Sequence, residues 1–223
     1  MAIKETVIRF DGDLDLEQVP LFRGSVIGMN PEADVLHNHY TDSSSVYRYP
    51  LVQYKSIDGQ PVILGIDEGA DILERMWDSG RSYRFRIGKE YREWQVLSKS
   101  ASVVPLMENP GVHHRYLIQN WLPFNQDNYE IYRNTGSLMG RVALLDRILL
   151  GNILSLYKGF GRFFIDEIQA YLCDIDHMGE VNFKGTRMVS MDVIIETDVK
   201  LPVMWGLGKG VSRGLGVIRE WDA

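Results

Sequence analysis

Asn109-Pro110-Gly111 gathers three turn-forming residues between two stretches that each carry their own alternation and helical periodicity. A chain of 223 residues interrupted there has room for two domains of roughly 100 residues, each with its own core. We therefore expect one domain over residues 1–110 and a second over residues 111–223.

In the first half Ile3, Val7 and Phe10 stand among polar neighbours, a short strand that ends at Asp11-Gly12-Asp13. Pro20 to Met29 predicts an amphipathic helix opened by the proline. β-Branched and aromatic residues return from Val46 to Tyr54, Asp58-Gly59 supplies a turn, and Pro61 to Ile66 reads as the partner strand of a hairpin. Asp67 is placed to cap a helix whose apolar face is Ala70, Ile72, Leu73, Met76 and Trp77, ending at Ser79-Gly80. Ser82 to Ile87 alternates again, and a further strand pair is expected to about Val104. Strand, helix, hairpin, helix, strand is the order of a split βαβ, or ferredoxin-like, unit.

The second half repeats the outline without a sequence repeat to tie it to the first. Arg115 to Leu122 predicts a strand, Pro123 to Asp127 a loop, and Ser137 to Tyr157 a long helix with Leu138, Val142, Leu145, Ile148, Leu149 and Ile153 on one stripe. Phe164 to Ile175, Val181 to Phe183 and Met188 to Thr197 predict strands, and the chain closes through glycines into Val217-Ile218. The expected fold class is α+β, two sandwiches of related topology in tandem.

Composition narrows the function. The lone Cys173 cannot form an internal disulfide, the N-terminus lacks the pattern of a secretory signal, and no run approaches the length of a membrane span, so a cytoplasmic protein without membrane partners is expected. A net charge of -6 argues against coating nucleic acid through bulk charge. The charge is segregated, however. Residues 81–100 hold Arg81, Arg84, Arg86, Lys89, Arg92 and Lys99 against Glu90 and Glu93, whereas residues 1–20 hold Lys4 and Arg9 against five carboxylates. Arg84 and Arg86 fall on one strand face, with Tyr83, Phe85 and Tyr91 nearby, the mixture that single-stranded RNA binding uses. The alternative is a solvated strand with its aromatics in the core.

Residues 206–216 read Gly-Leu-Gly-Lys-Gly-Val-Ser-Arg-Gly-Leu-Gly. Glycines let a backbone approach a ligand and aim successive N–H groups at an anion. A dinucleotide fingerprint is excluded, because no helix and no acidic residue about 20 positions on can follow before Ala223. A nucleotide P-loop is excluded too, because Gly210 rather than Ser or Thr follows Lys209. What remains is a glycine hairpin with two cations, Lys209 and Arg213, and a hydroxyl, Ser212. Its bland counterpart is a flexible connection between strands.

His37-Asn38-His39 places two imidazoles on one face if the segment is extended. Such a pair can supply one base and one acid near neutral pH. A zinc site would need further ligands, and Cys173, His113, His114 and His177 show no paired metal spacing, so no metal is expected. Solvated loop histidines are the other alternative. The run from Val46 to Lys55 puts Tyr47 and Lys55 on one face if the strand passes smoothly through Pro50. A lysine there could stabilise a phosphate oxygen and a tyrosine could orient a hydroxyl, against a half-buried Tyr47 and an exposed strand-end Lys55.

Taken together, Phe22-Arg23-Gly24, the His37-Asn38-His39 loop, the strand Tyr47-Arg48-Tyr49-Pro50-Leu51-Val52-Gln53-Tyr54-Lys55 and the terminal glycine loop resemble the CRISPR repeat-processing endoribonucleases of the RAMP superfamily, in the subgroup with two loop histidines. The resemblance spans nearly the whole chain. It implies two ferredoxin-like (RRM-like) domains and cleavage of precursor CRISPR RNA within each repeat, without metal or cofactor, by attack of a ribose 2′-OH on the adjacent phosphate. It further implies that His37 and His39 are the acid-base pair, that Tyr47 orients, that Lys55 stabilises the phosphate, and that Gly206, Gly208, Lys209, Gly210, Ser212, Arg213, Gly214 and Gly216 hold RNA backbone. Arg84 and Arg86 match no family motif and are candidates for another RNA segment. Alternatives are a non-catalytic RAMP-type RNA-binding subunit of a CRISPR effector complex and a metal-dependent hydrolase. Effector subunits as partners and a homodimer stay open.

Overall fold

A computed structural model describes residues 2–37, 49–106, 112–164 and 166–221. The chain divides into two compact units, Met1–Pro105 with Ser212–Gly214, and Leu106–Val211 with Leu215–Ala223. The turn cluster at 109–111 lies outside the described residues.

The first unit runs β1 (Ala2–Phe10), α1 (Val19–Met29), α2 (Asp34–His37), β2 (Val52–Ile57), β3 (Gln60–Ile66), α3 (Glu68–Met76), β4 (Ser82–Ile87) and β5 (Glu90–Pro105). Its antiparallel sheet has the order β2-β3-β1-β5-β4. Strands β5-β1-β3-β2 are the four strands of a ferredoxin-like unit, and β4 is an extra edge. The sequence reading differs here. A strand pair was expected after Ile87, but Glu90–Pro105 is one strand, whose residues 90–95 pair with β4 and whose residues 96–105 pair with β1 past a single bulge at Arg9/Phe10. The β2–β3 hairpin turns at Asp58 and Gly59, both at positive φ (54° and 80°), which suits the twist of the flanking strands. β2 starts at Val52, after Pro50, which cannot donate to a ladder, and residues 46–48 of the expected run lie outside the described residues. Asp67 does not cap α3 with its side chain. It takes φ 54°, and its N–H donates to the Lys4 carbonyl instead.

Alternation along β1, β2 and β5 supplies the core. Phe10, Tyr54, Phe85 and Trp94 project to the side on which Val19, Phe22 and Val26 of α1, Leu73 of α3 and Trp77 just after α3 are buried. Their rings meet edge to face, Phe10 with Trp77 at 5.3 Å and Phe22 with Trp94 at 5.5 Å. The alternate residues on the opposite face, including Val7, Gln53, Lys55, Val62 and Leu64, are buried as well.

The second unit runs β6 (His114–Trp121), α4 (Gln126–Asn134), α5 (Leu138–Lys158), β7 (Ala170–Phe183), β8 (Thr186–Thr197) and β9 (Val217–Glu220), in the antiparallel order β7-β8-β6-β9. This is the ferredoxin-like order again, and the fold is α+β with two such units. Ser137 caps α5 by accepting the Gly140 N–H, and Leu145, Ile148, Leu149 and Ile153 are buried as the periodicity predicts. Leu138 is not: at the first position of the helix it is 77% exposed. Two further expectations are corrected. β7 is one strand that absorbs two bulges, and residues 126–134 form α4, capped by Asn125 accepting the Asn128 N–H at 2.7 Å. α4 has no buried residue, so it carries no apolar stripe for the sequence to announce. Before β9 the described residues hold a glycine-rich loop with a 3-10 turn at Val211–Arg213, where a ferredoxin-like unit has its second helix. No helix among the described residues is long and apolar enough to cross a membrane.

Candidate functional site

Residues 206–216 form a packed loop rather than a slack tether. Gly206 bridges Val217 at its neck, the Leu207 N–H donates to the Gly216 carbonyl at 2.7 Å, and Leu207, Val211 and Leu215 are buried. Gly208, Gly210, Gly214 and Gly216 all have positive φ, from 67° to 85°. Two of them are under the tightest constraint. A Cβ at Gly208 would meet the Asn152 side-chain oxygen and the Trp121 indole, and one at Gly216 would collide with the Leu207 carbonyl. Lys209 Nζ donates to the Phe124 carbonyl at 3.3 Å, which draws that cation onto the loop before α4.

Ser212–Gly214 belong with the first unit. There Gly214 lies against the seam of α1 and β2, where a Cβ would be 3.2 Å from the Tyr54 carbonyl and 3.3 Å from Val19 Cγ1. Arg213 follows it into electrostatic range of Arg23, one helical turn beyond Val19. Burial holds the Arg23 pKa below its ordinary value, opposed by the favourable field of Tyr54 and assisted, to a smaller extent, by the repulsion of Arg213. The Arg23 guanidinium carbon stands 6.0 Å from the Tyr54 ring centre. Sequence reading missed Arg23 as a site residue, although it quoted Phe22-Arg23-Gly24. The signal available was a cation between core positions of an apolar helix.

Lys55 follows Tyr54 on β2 and is wholly buried, so it is not the exposed strand-end charge that was one sequence alternative. Its Nζ has no hydrogen-bond partner among the described residues, and burial pushes its pKa down to about 7. An amine so placed is divided between neutral and charged forms at neutral pH.

The backbone of His37 ends α2, a short helix. His39 and Tyr47 lie outside the described residues, as does any geometry of the histidine pair. Arg84 and Arg86 share the exposed face of β4, as expected. Of the neighbouring aromatics, Phe85 is core, Tyr83 packs on Trp77 at 4.6 Å, and Tyr91 is 59% exposed with the Arg84 guanidinium 4.3 Å from its ring centre. Arg86 lies across from Tyr91 in the ladder and donates to the Gly88 carbonyl. Glu93, opposite Arg84, partly offsets the charge. No cluster of three or more potential metal ligands occurs among the described residues.

Comparison with known proteins agrees over both units. The family model of the Cas6b N-terminal domain matches residues 1–102 and that of the Cas6b C-terminal domain matches residues 109–221. A crystal structure of Cas6b is 26% identical, with a TM-score of 0.86 over 99% of this chain and 100% of that one. A second, described as the CRISPR RNA processing endoribonuclease Cas6b, is 24% identical, with a TM-score of 0.75 over 99% and 100%. An uncharacterized protein of Methanocaldococcus jannaschii, MJ0978, is 29% identical over 101 residues, 45% of this chain and 67% of that protein. With both Cas6b domains matched in order along the chain, this protein belongs to the Cas6b family of CRISPR repeat-processing RAMP proteins.

Proposed function

We propose that this protein is an endoribonuclease that cuts precursor CRISPR RNA within its repeats and needs no metal. The observation that carries the reading is the match of both halves to the two Cas6b domains, in a family one of whose solved structures is named a CRISPR RNA processing endoribonuclease.

In the reaction, a base takes the proton of a ribose 2′-OH as its oxygen bonds to the adjacent phosphorus. The bond from phosphorus to the 5′ oxygen breaks, and an acid protonates that oxygen. The products are a 2′,3′-cyclic phosphate and a 5′-OH. His37 and His39 serve as base and acid, and Tyr47 orients the nucleophile. Lys55 takes up a proton as the phosphate approaches and stabilises the charge that grows on its oxygens, a change its pKa of about 7 makes cheap. Arg23 and Arg213 clamp a phosphate, and the glycine loop presents backbone N–H groups to the RNA. Arg84 and Arg86, with Tyr91 as a stacking surface, hold another segment of the strand.

The burial of Lys55 favours a second reading, a non-catalytic RNA-binding subunit in which this amine never meets the phosphate. One experiment separates the two. Single-turnover incubation with repeat RNA in EDTA is expected to give a cyclic phosphate end, and none from RNA carrying a 2′-deoxy ribose at the cut. Tight binding without cleavage would establish the second reading.

A further inference from the structure

The two ends of the glycine loop rest on consecutive residues of the second unit, and each support is backed by a polar side chain from another element. Asn120 sits at φ 52°, where β6 bulges between Ile118 and Trp121. Its carbonyl accepts the Gly216 N–H at 3.0 Å, and its own N–H donates to Asp192 on β8 at 2.6 Å. Trp121, fully buried, donates its indole N–H to the Asn152 side-chain oxygen on α5 at 3.0 Å, and this pair is the surface that Gly208 approaches too closely for a Cβ.

The left-handed region is less favoured for any residue with a side chain, and a charge-assisted hydrogen bond to a carboxylate is a strong way to hold the asparagine there. Without the Asp192 carboxylate the bulge is free to relax and the Gly216 end of the loop moves with it. Without Asn152 the indole N–H is left buried and unpaired, and the floor under Gly208 shifts.

We propose that Asp192 and Asn152 are positioning residues, which touch no RNA but hold the glycine loop in the shape that accepts an RNA phosphodiester. This rests on the reading that the loop binds RNA. Preorganisation of that kind acts on affinity more than on the chemical step.

The test compares Asp192→Ala with Asp192→Asn, and Asn152→Leu with Asn152→Asp, in the full chain. It measures repeat-RNA affinity, the cleavage rate at saturating protein, thermal midpoint and exchange of the Gly216 amide, with Gly208→Ala as a variant of the loop itself. Asp192→Ala is expected to weaken RNA binding on the order of tenfold and to speed Gly216 exchange, with a smaller change in the saturated rate. Asp192→Asn keeps an accepting oxygen and is expected to bind within about twofold of the wild type; Asn152→Asp is expected to rescue likewise relative to Asn152→Leu. Unchanged binding by Asp192→Ala despite a deprotected Gly216 amide would overturn the proposal, as would an asparagine no better than the alanine. If Asp192→Ala does not fold, the Asn152 pair decides by the same comparison. Weakened binding by Gly208→Ala with wild-type binding by Asp192→Ala overturns the positioning role alone. Unchanged binding by Gly208→Ala defeats the RNA reading of the loop and the positioning role with it.

Discussion

The two units share a strand order but complete it differently. In the first, α1 and α3 both lie on one face of the sheet and close an aromatic core around Phe10, Phe22, Trp77 and Phe85. In the second, α5 supplies the helix of the first crossover, and the second crossover ends in a glycine-rich loop whose Leu207, Val211 and Leu215 bury what apolar surface it has. A ferredoxin-like sheet therefore tolerates the loss of a helix if a loop can be packed tightly enough to replace it. The replacement brings something a helix lacks. Backbone N–H groups in a helix interior are spent on the helix, whereas a loop of glycines at positive φ can turn them toward a ligand. The first unit carries the candidate histidines and the buried Lys55, and the second most of the glycine loop.

The sharpest way to break that division of labour is His37→Ala with His39→Ala. If the first unit holds the chemistry, the double variant loses at least about a thousandfold in cleavage rate, measured by single-turnover product formation, while RNA affinity stays near wild type. Equal loss of binding would merge the two roles.

The next effect is on stability. Phe22→Ala empties the centre of the aromatic core and is expected to cost about 3–5 kcal/mol by denaturant unfolding, because four further rings, Phe10, Tyr54, Phe85 and Trp94, lose an edge-to-face partner. Lys55→Met works in the opposite direction. The lysine pKa is held near 7 in the folded chain against an ordinary 10.5, so between those values the unfolded chain binds more protons and stability rises with pH. The lysine thus withholds stability that is regained only as pH climbs from about 7 toward 10.5, with a slope of up to about 1.4 kcal/mol per pH unit in that window. Methionine in its place is expected to raise stability at pH 7 by a few kcal/mol, to flatten this pH dependence, and to slow cleavage. A stable variant that cuts at the wild-type rate would leave Lys55 as a structural residue.

The smallest effect is expected at Leu138, which the periodicity of α5 assigned to the core and which the fold leaves in solvent. Leu138→Asp should change stability by less than about 0.5 kcal/mol, whereas Leu149→Ala, eleven residues along the same stripe, should cost about 2–5 kcal/mol. A large loss at Leu138 would mean that its surface is covered in solution.

Local signals were read with good reason where a pattern repeats over many residues or where one residue type has a single physical use. The stripe of α5, the Asp58-Gly59 turn, the order of elements along the first unit and the special backbone of residues 206–216 all follow from spacing and from what glycine alone can do. The face shared by Arg84 and Arg86 follows from a period of two. Other features depended on partners far along the chain. That residues 90–105 continue as one strand was decided by two partners, β4 beside residues 90–95 and β1 beside residues 96–105, and the bulges of β7 by its register with β8. The burial of Lys55, the approach of Arg213 to Arg23, and the support of the glycine loop by Asp192 and Asn152 join residues tens to nearly two hundred positions apart. Such long-range contacts leave no period in the sequence, because desolvation and hydrogen-bond geometry arise only once the sheet has brought distant residues side by side.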